Sequence, residues 1–555
     1  MTDRSMLAAM DVMRSNASSA YFTDADLFVL LILKQVQLAA THGNSSFAAN
    51  AYELYGMMLC GGFWDCDTGY GFGRLGFEVL ERHPAANLAG KMAMIWGTFV
   101  APWKDPARAC AEGLLERWRG AVDGGDLEYA AYMVLQSLNL AILSGMPLGE
   151  VLGRFHDYSG WLHDTSQLMS IDLFDSWMQC AANLADPERV IPALRGERFD
   201  LEARLPGYVE ADDRMPIAYA SVAEGLLAYF LGDRRRALAS LERAIAHEDR
   251  LFSSLLIPAI HFYHALLLLS PERGRPDRRA RRLVARSIRR MRRWARFNPG
   301  TFAHKLALLE AERARVGGDV RAAGPKYRQA IEGARERGFV HDEAVACELY
   351  ARFWLAQGEP DAARLFLARA RQACRLWGAA AKVRELEAAH ADLFARIDEA
   401  AVVEASVTTT STRSTSTTTT HRAAAELDLA TVLKASQALA GQSSLAPLLE
   451  ELISIVLENA GADRGMILLR KDGELFVRPR ERSADPEPCS SGRPSRSRPV
   501  ASRRCRSRSS SSSRAPARSP SSTTDRPTRA SAATRTSSRG GRGRSSAPRS
   551  CTRAT

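Results

Sequence analysis

Along the first four hundred positions, apolar residues recur at helical spacing, and Gly or Asp interrupts them at near-constant intervals. Leu27, Leu30, Leu31, Lys34 and Leu38 mark one run, and Tyr129, Tyr132, Met133, Gln136 and Leu140 another. From Ala223 to Leu386 the same stop appears four times: Gly232-Asp233, Gly274-Arg275, Gly318-Asp319 and Gly358-Glu359, at steps of 42, 44 and 40 residues. After three of these glycines an Ala follows five residues on and another seven later, as Ala237/Ala244, Ala323/Ala330 and Ala363/Ala370. A glycine that ends one helix, followed by small residues two turns apart on the next, predicts a tightly packed helical hairpin. Recurrence near 41 residues predicts a stack of hairpins, an all-α solenoid.

Earlier in the chain the same beat places helix ends near Gly43, Pro84 and Gly125, and alternate ends near Gly62, Asp105, Gly145 and Asp186. Asp24 and Asp126 stand where helix N-caps are expected. Residues 1–190 therefore form one helical-repeat half and residues 217–399 a second. Between them, 191–216 is an irregular joint rich in Pro and Gly, with a short helix expected around Phe199–Leu205. Residues 400–425 hold a Ser/Thr-rich linker. Within 426–480 a helical stripe (Leu429, Val432, Leu433, Leu439) and a second helix precede the one convincing strand pair. That pair turns at Lys471-Asp472-Gly473.

Charge changes the picture only at the end. The formal charge is +12, but 481–555 alone carries 18 Arg, no Lys and four acidic residues, which leaves the rest at −2. Electrostatic attraction to phosphate is thus not a property of the main body, and nucleic acid is disfavoured as its partner. The tail has one Val and no Leu, Ile, Met, Phe, Tyr or Trp, so it is expected to be disordered. Its abrupt onset in mid-domain suggests a frame shift in a GC-rich gene, which resequencing the locus tests.

Candidate chemistry is sparse. Gly71-Phe-Gly73-Arg-Leu-Gly76 fits a dinucleotide fingerprint, but no strand precedes it, so close helix packing is the expected role. His261 and His264 lie one turn apart without a third ligand nearby and are expected in a helix interface. Arg273–Arg296 holds 12 Arg, of which Arg279, Arg282, Arg286, Arg289, Arg290 and Arg293 crowd one side. That side is a candidate docking face for an acidic partner, phosphate or RNA, against the plainer reading of a solvated helix face. There is no Walker A, HExxH, GxSxG or kinase signature, and no catalytic residue, metal or cofactor is expected. Nine scattered Cys without a CxxC pair suit a reducing cytoplasm. Met1–Asn16 lacks a leader pattern, and Leu27–Val36 is too short to span a bilayer.

Two stretches carry a resemblance. Leu427–Gly441, with Leu448–Leu452 and Leu457–Gly465, resembles the entry into the GAF domain of large bacterial hybrid signalling kinases. Ala20-Tyr-Phe22, Gly43-Asn-Ser45 and Gly125–Ala130 look like the tetratricopeptide-like helical region of the same family. In those proteins a Ser/Thr kinase domain and an AAA-type ATPase precede the helical region, and a GAF domain and sensor histidine kinase follow it. The resemblance implies a non-catalytic scaffold that relays between kinase or ATPase modules and a sensor, with a truncated α/β GAF start. Leu429, Val432, Leu433 and Leu439 would form the relay stripe. The kinase, ATPase and histidine kinase modules have no counterpart in these residues. A nucleic-acid-binding repeat protein using the Arg279–Arg293 face and the tail is the alternative.

Overall fold

The computed structural model describes residues 1–395, apart from 189, and the strand pair 464–471 and 474–481. The linker, the Leu429–Leu439 stripe, the helices expected over 426–460 and the tail lie outside the described residues. The first part of the chain is all-α. It runs α1 (Arg4–Thr23), α2 (Ala25–His42), α3 (Ser46–Met58), α4 (Cys66–Arg82), α5 (Ala86–Ile95), α6 (Ala107–Asp123), α7 (Leu127–Leu143), α8 (Leu148–Asp164) and α9 (Leu168–Ala185). After the joint come α10 (Leu201–Glu210), α11 (Arg214–Phe230), α12 (Arg234–Ala246), α13 (Leu256–Leu268), α14 (Arg278–Phe297) and α15 (Pro299–Val316). The series ends with α16 (Val320–Glu336), α17 (Val340–Ala356), α18 (Pro360–Trp377) and α19 (Ala380–Ala389). A separate unit holds the antiparallel hairpin β1 (Arg464–Lys471) and β2 (Glu474–Glu481), in the register Lys471↔Glu474.

The sequence beat becomes visible as chain geometry. Gly232, Gly274, Gly318 and Gly358 all have φ between +70° and +80°, the left-handed stop that only glycine adopts without strain. Behind several such stops the chain closes a six-to-one hydrogen bond: Asp319 N to Ala314 O at 3.0 Å, Phe339 N to Ala334 O at 2.9 Å, Glu359 N to Trp354 O and Ala379 N to Cys374 O at 3.0 Å. These caps fall twenty residues apart, so the 41-residue period is two helix-plus-turn units. Asp residues then open the next helices, and the Asp24, Asp233, Asp277 and Asp319 carboxylates accept from first-turn N–H groups. The paired alanines are all buried where hairpin helices cross. Some stops carry no glycine: just beyond α8, Ser166 takes φ +54°, and just beyond α10, Asp212 takes φ +48°.

Two local expectations change. The stripe Leu27, Leu30, Leu31, Lys34, Leu38 is not the inward face of α2; Phe28, Ile32, Gln35 and Ala39 are buried, whereas Leu27 and Leu30 are exposed. Because α2 is apolar nearly all round, periodicity cannot choose its face, and packing against α1 and α3 does. The helix also runs beyond Leu27–Val36. At 18 residues and a mean hydropathy of 1.2, it is long and apolar enough by those measures to cross a bilayer, the one such helix among the described residues. At the joint the short helix begins at Leu201 and contains Pro206. The preceding loop is pinned rather than loose. Gln179 Oε1 accepts from Arg198 N at 3.0 Å, and Asn183 Nδ2 donates to Ala193 O and Arg195 O at 3.3 and 3.2 Å. Helices α9 and α11 pack directly on each other across it.

The inner helices are buried on every side. All thirteen residues of α13 are buried, as are most of α7, α9, α11 and α17. Outer helices such as α12, α14, α16 and α18 bury one stripe only. The reason is that the solenoid winds back upon itself, bringing residues 150–230 positions apart into contact. Trp103 Nε1 donates to Ser253 O at 3.0 Å, and Asn298 Nδ2 donates to Pro102 O and Asp105 O at 3.1 and 3.0 Å. Arg293 donates to Phe63 O at 2.8 Å. Two π-helical turns, Leu59–Phe63 and Trp96–Val100, lie on this seam. Carbonyls at these widened turns accept bonds from the facing layer, as Phe99 O does from Ser253 Oγ at 2.7 Å. Trp64, Trp103, Trp294 and Phe302 pack ring to ring across it, with centroids 5.2–6.1 Å apart.

Candidate functional site

The basic face predicted on α14 is there, but it divides in two. Ala280, Val284, Ser287, Met291 and Trp294 are buried, and Arg279, Arg282, Arg286 and Arg289 are exposed on the opposite side. No carboxylate among the described residues pairs with those four arginines. The other two are structural: Arg290 bonds to His261 and lies 3.6 Å from Glu248, and Arg293 caps Phe63 O on the seam. The candidate docking face therefore narrows to four side chains.

The two weak motifs settle into packing. Gly71–Gly76 lies inside α4, and a Cβ on Gly73 would sit 2.6 Å from the Trp96 ring. His261 and His264 are buried on α13, and His261 Nε2 is 2.9 Å from Glu248 Oε2. Among the described residues no group of three His, Cys, Asp or Glu is placed to hold a metal ion. The six described cysteines are buried and free.

A feature with no prior expectation is a cavity lined by residues between Ala17 and Tyr219, about 750 Å³ with its open mouth and adjoining solvent counted. Side chains of α1, α2, α3, α5, α7, α9 and α11 converge on it. Its walls are Phe28, Leu54, Met57, Met94, Phe99, Met169 and neighbouring apolar groups. One corner is polar. Lys91 Nζ donates to Ser18 Oγ at 2.9 Å and lies 5.3 Å over the Tyr129 ring, while the Ser18 and Tyr129 hydroxyls are 3.0 Å apart. Burial, with Arg14 nearby, lowers the Lys91 ammonium to about 8. Tyr132 donates to Glu128 at 3.0 Å, and Gln136 Nε2 donates to Tyr219 at 2.8 Å. Burial raises the Tyr129 and Tyr219 hydroxyls to about 12, so both stay protonated. Sequence periodicity found Tyr129, Tyr132 and Gln136 but not their convergence with Lys91. The only signal for Lys91 was a single cation in the apolar run Ala86–Ile95.

Deeper in the core, two charge networks tie the inner helices together. Asp342 on α17 bonds to Lys305 and, at 2.8 Å, to His304 Nε2 on α15. Burial alone would raise this carboxyl, but His341, Lys305 and His304 hold it well below its ordinary range. Glu348 pairs with Lys382 at 2.9 Å and with Arg352. Buried charges of this kind are tolerated only as complete sets.

The fold and these sites define an all-α helical-repeat protein. No family model matches the chain. Over 146 residues, 26% of its length, it is 23% identical to hybrid signal transduction histidine kinase G of Dictyostelium discoideum, so it is similar in part to a signalling kinase. The chain spans 4% of that relative's length. A solved circular tandem repeat protein with a novel repeat topology and enhanced subunit contact surfaces aligns over 72% of this chain and 97% of its own. The identity is 15% and the TM-score 0.13. The two backbones do not superpose at that score, and the fold assignment stands on the helices themselves.

Proposed function

We propose that this chain is a non-catalytic protein-interaction scaffold belonging to a hybrid signal-transduction kinase, and that it relays between kinase or ATPase modules and a GAF-type sensor. The observation that carries this reading is the burial of the inner helices, combined with the partial similarity to a hybrid histidine kinase. With the inner helices buried, a large partner is met by the outer helices, where Arg279, Arg282, Arg286 and Arg289 have no carboxylate partner among the described residues. An acidic surface on a kinase or ATPase module complements them. The relay stripe Leu429, Val432, Leu433 and Leu439 then carries the signal toward the sensor.

The test uses a full-length hybrid kinase relative. Changing the four equivalent arginines to Gln lowers signal-dependent autophosphorylation, as does Asp at the position of Leu433, while basal autophosphorylation persists. Unaltered signal response in both variants refutes the scaffold reading, and ATP turnover by this chain alone refutes its non-catalytic part. The same four arginines favour a second reading, nucleic-acid binding. That reading predicts RNA affinity falling steeply with salt, with a shallower slope in the Arg→Gln variant.

A further inference from the structure

The cavity contains a buried cation, Lys91, that makes no salt bridge with any described residue. Among the described residues no carboxylate comes within ion-pairing distance of Lys91, which contacts the Ser18 hydroxyl and the Tyr129 ring. An ammonium has three donors, and one hydroxyl satisfies one of them. Glu53, Asp126 and Glu128 lie around it, but beyond ion-pair distance, and burial pushes Glu53 well above the usual carboxylate range. A buried charge left in this condition is costly unless something completes it.

The rest of the cavity specifies what completes it. The walls facing Lys91 are apolar, and four of them are methionines (Met57, Met94, Met169 and Met215). Unbranched thioethers adapt to ligands of differing shape. One buried cation flanked by acidic groups fits a single negative charge and disfavours a dianion such as phosphate. We propose that the cavity binds a small apolar carboxylic acid, with its carboxylate on Lys91 and Ser18 and its hydrocarbon body against Phe28, Phe99 and the methionines. Because the walls come from seven helices, an occupied cavity ties those helices together. The site is separate from the α14 face, and its existence does not depend on the scaffold reading.

Calorimetry on the intact chain tests this with decanoate as the aliphatic probe, 2-naphthoate as the aromatic one and decanol as the neutral control. At least one acid binds saturably, one per chain. Lys91→Met weakens the acid by about tenfold or more, the worth of a charge-assisted hydrogen bond, and leaves decanol unchanged. Met57→Trp, which fills the cavity, abolishes binding of both. Where Lys91→Met does not fold, Lys91→Gln replaces it. The unmodified chain gives an independent readout: binding at pH 8 takes up a fraction of a proton, because the bound anion raises Lys91. The groups facing this ammonium are Arg14, Glu53, Asp126, Glu128 and Tyr129. No saturable binding of either acid, undiminished binding in the Lys91 variant, or no proton uptake overturns the proposal.

Discussion

Replacing Asn298 with Ala probes the seam on which the wound architecture rests. Asn298 is only 5% exposed, and its side chain does two separate jobs. Its Oδ1 accepts from Thr301 N at 3.1 Å and caps α15, while its Nδ2 donates to Pro102 O and Asp105 O in the facing layer. Loss of a cap costs about 1 kcal/mol. Each lost bond to a buried carbonyl costs about 1 kcal/mol more. The Ala variant is therefore weakened by about 3 kcal/mol, or about 150-fold in local opening. Asn298→Ser keeps a capping oxygen but not the donor reach, so it loses about 2 kcal/mol, roughly 30-fold. Amide exchange followed by mass spectrometry reads the two effects apart. Peptides covering 96–105 and 294–302 both exchange faster in either variant, and only Ala adds fraying at the start of α15. Faster exchange confined to 294–302, or a Ser variant indistinguishable from the native chain, would refute the claim that the two layers support each other there.

Gly358→Ala forces a Cβ into φ +79°, and about 1–2 kcal/mol of destabilisation is expected in urea unfolding. Ala330→Phe overfills a buried hairpin crossing, with an expected loss of about 1–3 kcal/mol and an unchanged helical circular dichroism spectrum at low temperature. Lys382→Met removes a partner of buried Glu348, at about 3 kcal/mol or more. Burial alone would raise Glu348, but Lys382 and Arg352 hold it below its ordinary 4.5. Its contribution is therefore present above pH 4.5 and lost as pH falls through the lowered value. The Lys382→Met variant should accordingly unfold at higher pH in an acid titration. An unshifted acid midpoint would show that the pair contributes nothing.

Much of the fold was written in short-range signals. Gly318 and Gly358 allow a left-handed backbone without strain and are each followed by an acidic residue, so the stops could be read before any contact was known. Paired alanines such as Ala323 and Ala330 announce close crossings for the same reason, since a small side chain has one main structural use in a helix. Where the signal was chemically degenerate, the reading failed. Ser166 takes a glycine's role without looking like one, and the all-round apolar α2 offered two possible inward faces. The arginine stripe of α14 was located correctly, but Arg290 and Arg293 look the same in sequence as Arg286 and Arg289. Only His261, Glu248 and Phe63 O, distant in the chain, distinguish them.

The sequence by itself determined the helices, their twenty-residue beat, the hairpin near the C-terminal end and the side of α14 that faces outward. All of these depend on residues within a few turns of one another, where steric and capping energies act locally. The tertiary structure alone decided that the winding closes upon itself, because contacts spanning 150–230 residues leave no periodic trace. It also decided that the inner helices are filled rather than open to a partner, and that Lys91 meets an apolar cavity. A buried charge is defined by what surrounds it, and its surroundings here arrive from seven helices.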